Sequence, residues 1–172
     1  MNHLKLLPLL LVLSFATSCT STQQAQETAM SNEARAQLYQ SAIEEARDQE
    51  LNESMSVLTS SEDETAELLF SMLGVSGEDM QAFALSVSPM NVKAYGIAAI
   101  YPAAGKEQTV LDGLNGFIDQ QRQNFELYLA DQYDIANQAR LETLNDGTIL
   151  MVMCPDQDTV FDAIRAKIET GA

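Results

Sequence analysis

Apolar side chains recur every three to four positions between about residues 105 and 129: Val110, Leu114, Phe117, Ile118, Phe125 and Leu129. That spacing lays them along one face of a helix and is the strongest periodic signal in the chain. On either side the period changes. Residues 81–88 alternate, with Phe83, Leu85 and Val87 on one side and Ala84, Ser86 and Ser88 on the other, which predicts a half-buried strand. After a turn at Pro89-Met90-Asn91, residues 92–101 are apolar on both sides: Tyr95, Ile97, Ala99 and Tyr101 against Val92, Ala94, Gly96, Ala98 and Ile100. The small residues of the second set leave room for a helix to come close, and Pro102 ends the strand. Residues 139–144 predict a third strand with Arg140 and Glu142 outward. Asp146-Gly147 is a two-residue hairpin turn into a fourth strand, 148–154, apolar on both faces. A last helix, capped by Asp156 or Asp158, carries Val160, Phe161, Ile164 and Ile168.

Two further helices are predicted upstream. One runs from Ser31 or Asn32 to about Glu50, with Leu38, Tyr39, Ala42, Ile43 and Ala46 on one face. The other covers Thr65 to Leu73, opened by a capping box at Ser61 and Glu64 and stopped by Gly74. Its expected stripe is Ala66, Leu69, Phe70 and Leu73. The main series then reads ββαββα. Strands apolar on both faces belong in the middle of a sheet and half-polar strands at its edges. Hairpins place each edge strand beside one central strand. The result is an α+β fold: a four-stranded antiparallel sheet in the order first-second-fourth-third, permuted ferredoxin-like, with N-terminal helices. The two main helices are expected on one sheet face; the other is left for residues 31–73 or a partner protein to cover, with the two apolar stripes of 31–73 favouring the former. Gly113 and Gly116 each weaken the long helix by about 1 kcal/mol relative to alanine and read as points of close packing on the sheet.

The first thirty residues read differently. Lys5, the apolar run Leu6–Phe15 and the small residues Ala16-Thr17-Ser18 make a secretory signal peptide over 1–18. The run is too short to span a bilayer core of roughly 30 Å. Ala16-Thr-Ser-Cys19 resembles the lipobox of bacterial lipoproteins, with Ala16 where leucine is usual; it implies a lipid attached at Cys19. Ala16 and Ser18 also suit ordinary signal peptidase, which would leave a secreted chain. Residues 20–30, rich in Ser, Thr and Gln, follow as a flexible tether. The chain thus divides into signal peptide (1–18), lipidated cysteine and tether (19–30) and one α+β domain (31–172). Its expected place is outside the cytoplasm, anchored to a bacterial membrane. In that setting the sequon Asn52-Glu53-Ser54 is a chance match.

Composition narrows the chemistry. Asp and Glu number 25 against 9 Lys and Arg, a formal charge of −16. Nucleic acids and anionic lipid surfaces require a basic face, so no nucleic-acid partner is expected. The single histidine is His3, and it leaves with the signal peptide. The mature chain then has no Ser-His-Asp or Cys-His catalysis and no histidine-ligated metal. The remaining chemical groups are carboxylates, hydroxyls and the amines of Lys93, Lys106 and Lys167. Glu62-Asp63-Glu64 fits the start of a helix better than a metal cluster. Asp156, Asp158 and Asp162 lack the glycine and the terminal glutamate of a calcium loop. No catalytic, metal or cofactor residue is expected. Cys154 reads as a buried, inert thiol.

From Leu68 to Phe161 the chain resembles a bacterial family known only as domain of unknown function 4358. The residues that carry the resemblance are Ser88-Pro-Met-Asn-Val92, Ala98-Ala-Ile-Tyr-Pro-Ala-Ala-Gly-Lys106, Tyr133-Asp134 and Leu150-Met-Val-Met153. Members look like small secreted lipoproteins, and the resemblance carries over no activity. The expected function is a membrane-anchored domain that binds a protein or cell-envelope partner without catalysis. The alternatives are a carboxylate-based cell-wall enzyme and a weak cation-binding module.

Overall fold

The computed structural model describes residues 30–90 and 92–171. The expected signal peptide, Cys19 and the tether up to residue 29 lie outside the described residues. In chain order the elements are helices α1 (Asn32–Ala46), α2 (Gln49–Ser54) and α3 (Ala66–Leu73), strands β1 (Met80–Val87) and β2 (Gly96–Pro102), helices α4 (Glu107–Phe125) and α5 (Ala130–Asn137), strands β3 (Arg140–Thr143) and β4 (Ile149–Met153), and helix α6 (Gln157–Gly171). A short 3-10 turn, Gly77–Asp79, leads into β1.

The class is α+β, and the four strands form one antiparallel sheet in the order β1-β2-β4-β3. Both the order and the central position of β2 and β4 agree with the hydrophobic pattern. Rows of side chains cross the sheet in register, such as Leu85, Ala98, Met151 and Leu141 on one face. The next row, Ala84, Ala99, Leu150 and Glu142, points the other way.

The helices depart from the expected arrangement. α4 and α6 lie on opposite faces of the sheet, unlike the permuted ferredoxin-like packing, which puts both on one. Val110, Leu114, Phe117 and Ile118 of α4 join Phe70 and Leu73 of α3 against Ala98, Ile100, Met151 and Met153. Phe161, Ile164 and Ile168 of α6 join Tyr39, Ala42 and Ile43 of α1 against Ile97, Ala99, Leu150 and Val152. Each helix pair therefore supplies one of two hydrophobic layers, and both faces of the central strands are used. Full burial of each large side chain contributes about 1.5–3 kcal/mol.

This double cover explains a second difference. β1 is an edge strand, yet Ser86 and Ser88 on its supposed polar side are buried: α1 packs against β1, and Arg47 just past its end donates to Ser86 Oγ. The open side of β1 is closed by one bridge, in which Leu58 N–H donates to Leu85 O (2.8 Å) and Leu85 N–H to Leu58 O (2.9 Å). The other edge, β3, carries charge instead: Arg140 pairs with Glu142 at 2.6 Å and stacks over the Phe161 ring. Charged or covered edges discourage pairing with another chain.

Local boundaries also shift. α1 stops at Ala46 because Arg47 is extended, and Asp48 restarts the chain as α2 by accepting the Leu51 N–H. Ser61 and Glu64 lie in exposed turns, outside any capping box. Thr65 precedes α3, and Asp63 instead accepts from Thr65 N–H and Oγ1. β2 starts at Gly96 rather than Val92. Its smallness is used there: a Cβ at Gly96 would meet the Phe117 ring at 2.9 Å. The long helix ends at Phe125, and Leu129 precedes a separate helix, α5.

Candidate functional site

The sheet has two ends, and they differ in character. At one end β2 finishes and the β3–β4 hairpin turns. There the bonds are closed and structural. Arg35 of α1 reaches Asp146 at 2.6 Å and lies 4.0 Å over the Tyr101 ring. The Tyr39 hydroxyl bonds Thr148 Oγ1, and Thr148 donates to Asp146 at 2.8 Å. Lys106 Nζ meets the buried Asp79 at 2.8 Å. That ammonium, with the Ser76 hydroxyl and N–H, lowers the Asp79 carboxyl to about 2. These groups fasten α1, the hairpin and the start of α4.

At the other end β1 finishes, β2 begins and β4 finishes. Between these strand ends, the α1–α2 break and the start of α6 lies a cleft of about 510 Å³, within the range of small-molecule sites. Its floor is Tyr95, Ile97 and Cys154, all buried. Leu51 and Val160 line its walls, and Asp48, Glu50 and Asp156 stand exposed at its rim. Asp156 holds a left-handed backbone, φ +54°, and its carbonyl accepts the Thr159 and Val160 N–H groups at the start of α6.

Arg47 organises one side of this cleft. Its Nε donates to Asn52 Oδ1 (2.5 Å), Nη1 to Ser86 Oγ (2.7 Å) and Tyr95 OH (2.9 Å), and Nη2 to the Met55 carbonyl (2.5 Å). Four of its five N–H groups are thus held by neutral oxygens, and one is left over. Lys93 stands on the same tyrosine, its Nζ 5.7 Å from the Tyr95 ring centroid. Cys154 Sγ is the remaining reactive atom. Burial, with the nearby Asp156 charge, pushes its thiol up to about 12. It stays protonated and un-nucleophilic near neutral pH.

The cations separate this end from the rest of the surface. Eight of the nine Lys and Arg residues lie among the described residues. Arg35, Lys106, Arg122, Arg140, Arg165 and Lys167 each pair with a carboxylate. Among the described residues, Arg47 and Lys93 are the two that do not, and both line the cleft.

The same end carries exposed apolar side chains. Met90 and Val92 sit in the β1–β2 loop, and Leu127 and Tyr128 in the α4–α5 turn; all are more than half exposed, Tyr128 at 85%. The Ala94 N–H donates to Gln132 Oε1 at 2.8 Å and ties the β1–β2 loop to α5, directly after that turn.

The residues singled out from the sequence are distributed as follows. Cys19 lies outside the described residues. Lys106 and Lys167 are taken by Asp79 and Glu45. Asp158 and Asp162 are taken by Arg140, while Asp156 stands apart at the cleft. Glu62, Asp63 and Glu64 are exposed in a turn. Only Lys93, Cys154 and Asp156 meet at one place. Arg47 escaped notice because it continues a helical run of charges. The signal available was Asp48, an N-cap residue type placed directly after it.

The family described as Domain of unknown function (DUF4358) matches residues 53–154. The match spans the whole sheet with α3, α4 and α5, and stops short of α1 and α6. No curated protein and no solved structure matches the chain.

Proposed function

Because the chain belongs to the DUF4358 family, whose function is unknown, we propose a role from its own geometry: a membrane-anchored, extracytoplasmic, non-catalytic domain that binds a protein of the cell envelope. One observation carries the reading. The cleft and the exposed side chains of Met90, Val92, Leu127 and Tyr128 share one end of the sheet, while α1 begins at the other end, beside Asp146 and Tyr101. The anchor is supported by the apolar run Leu6–Phe15 and by Ala16-Thr-Ser-Cys19. With lipid on Cys19 and a tether leading into α1, the anchored end and the apolar end are opposite. Exposed large apolar side chains at loop tips suit a protein contact.

The test uses the full chain in native membranes. A photo-crosslinking residue in place of Tyr128 is expected to capture one partner. The same residue in place of Glu33, at the anchored end, is expected to capture none. Equal capture from both positions, or none from either, would overturn the docking reading. Cys19→Ser tests the anchor separately: the protein is expected to leave the membrane fraction, and a processed variant that stays membrane-bound excludes the lipid.

A further inference from the structure

We propose that the cleft binds a zwitterion of amino-acid type, a free amino acid or short peptide, with Arg47 and Lys93 holding its carboxylate and the rim acids facing its ammonium. The inference rests on reading this end of the molecule as a binding site. It depends on neither the lipid anchor nor the apolar loops.

The first support is the placement of charge. In a chain with 25 acids and 9 bases, a cation without a carboxylate is the unusual case, since acids outnumber bases nearly threefold. Two such cations converge on one cavity. Arg47 is not loose there. Four neutral acceptors lock its guanidinium between α2, β1 and the start of β2, so its rotamer is fixed in advance, and it makes no ion pair among the described residues. A pre-positioned guanidinium with a spare N–H is suited to a carboxylate. Lys93 is complementary: its ammonium rests on the Tyr95 ring and retains its donors for a second oxygen. Tyr95 neighbours both groups: its hydroxyl accepts from Arg47 Nη1 at 2.9 Å, and its ring centroid lies 5.7 Å from Lys93 Nζ.

The second support is the rim. Asp48, Glu50 and Asp156 also border the cleft. Their charges oppose a ligand carrying only negative charge, such as phosphate or a nucleotide. They favour a molecule that pairs its anion with a cation. The third is the floor. Ile97, Tyr95 and the protonated Cys154, with Leu51 and Val160 beside them, offer an apolar bed for a side chain. Anion, cation and apolar body together describe an amino acid or short peptide with a free carboxyl end.

The experiment is calorimetric titration of the full chain in detergent with three probes: the dipeptide Ala-Leu, its C-terminal amide and inorganic phosphate. Ala-Leu is expected to bind saturably. The amide, and Ala-Leu added to Lys93→Gln, are each expected to bind about tenfold more weakly, as loss of one charge-assisted contact implies. Lys93 makes no ion pair among the described residues and stands only over the Tyr95 ring, so Lys93→Gln is expected to stay folded with an only slightly lower melting temperature. Equal binding of acid and amide, tighter binding of phosphate, no saturable binding of any probe, or indifference to Lys93→Gln would each overturn the proposal. If Tyr128 crosslinking succeeds while Ala-Leu fails, only the ligand inference falls. If Ala-Leu binds while crosslinking fails, only the docking reading falls.

Discussion

Gly113 and Gly116 sit one turn apart on α4, and alanine is expected to act oppositely at the two. Helix propensity favours alanine over glycine by about 1 kcal/mol at either position. At Gly116 nothing lies within 4 Å of an added Cβ, so Gly116→Ala retains a gain of about 0.5–1 kcal/mol. At Gly113 the added Cβ would sit 2.6 Å from the Gly74 carbonyl oxygen, 2.7 Å from that of Leu73 and 2.9 Å from the Gly74 carbonyl carbon. These are backbone atoms at the end of α3. Gly74 holds φ +66° and caps that helix by donating to Phe70 O and Ser71 O, so the cap cannot slide away without giving up its bonds. Forced overpacking costs about 1–3 kcal/mol, here toward the upper end. Gly113→Ala is therefore expected to lose about 1–2 kcal/mol net after the propensity gain is subtracted. The assay is urea unfolding followed by circular dichroism. The midpoint should fall for one variant and rise for the other at an unchanged slope, which marks a stability effect. A Gly113→Ala protein as stable as the parent, or a shift of both midpoints in one direction, would refute the packing of α3 on α4.

Three further outcomes follow from the closed contacts. Asp79 is held low by Lys106 and Ser76. Its contribution is complete above the unfolded carboxyl value of roughly 4 and is lost as pH falls toward 2. Asp79→Asn should cost about 1–2 kcal/mol at neutral pH, after discounting for the half-exposed Lys106, and should flatten the stability curve between pH 4 and 2; an unchanged curve counts against the pair. Tyr39→Phe removes the hydroxyl shared with Thr148 and Arg35 and is expected to lose about 1–2 kcal/mol, measured by the same unfolding assay; no loss means the contact is not formed in solution. Cys154, buried at the cleft floor with its thiol near 12, should label slowly with a thiol reagent at pH 8 and rapidly in denaturant; fast native labelling would mean an open floor.

The fold was largely legible, and the legible parts share a cause. Hairpin turns are local, so Asp146-Gly147 joins β3 to β4 wherever the rest of the chain goes, and Gly147 takes the φ of +87° that such a turn requires. A strand apolar on both faces can only be central, which places β2 and β4. The face taken by each helix was not legible. An apolar stripe such as Phe161, Ile164 and Ile168 states that a face is buried, not what buries it. With α3 and α4 filling one side of the sheet, α6 and α1 bury theirs on the other. The edge character of β1 misled for the same reason: Ser86 looked exposed until α1 and Arg47 covered it.

By itself the sequence determined the strands, their order, the two-sided core and the excess of acid, because these depend on alternation, turns and counts. Only the tertiary structure decided which glycine packs and which does not, since Gly113 and Gly116 are alike along the chain and differ only in having Gly74 opposite. Only it brought Arg47 and Lys93 to one cleft, from positions 46 residues apart, and showed that both lack the carboxylate partners of the other described cations. A charge in a sequence carries no record of its neighbours. Whether it is compensated is settled by which distant acid the fold places within reach.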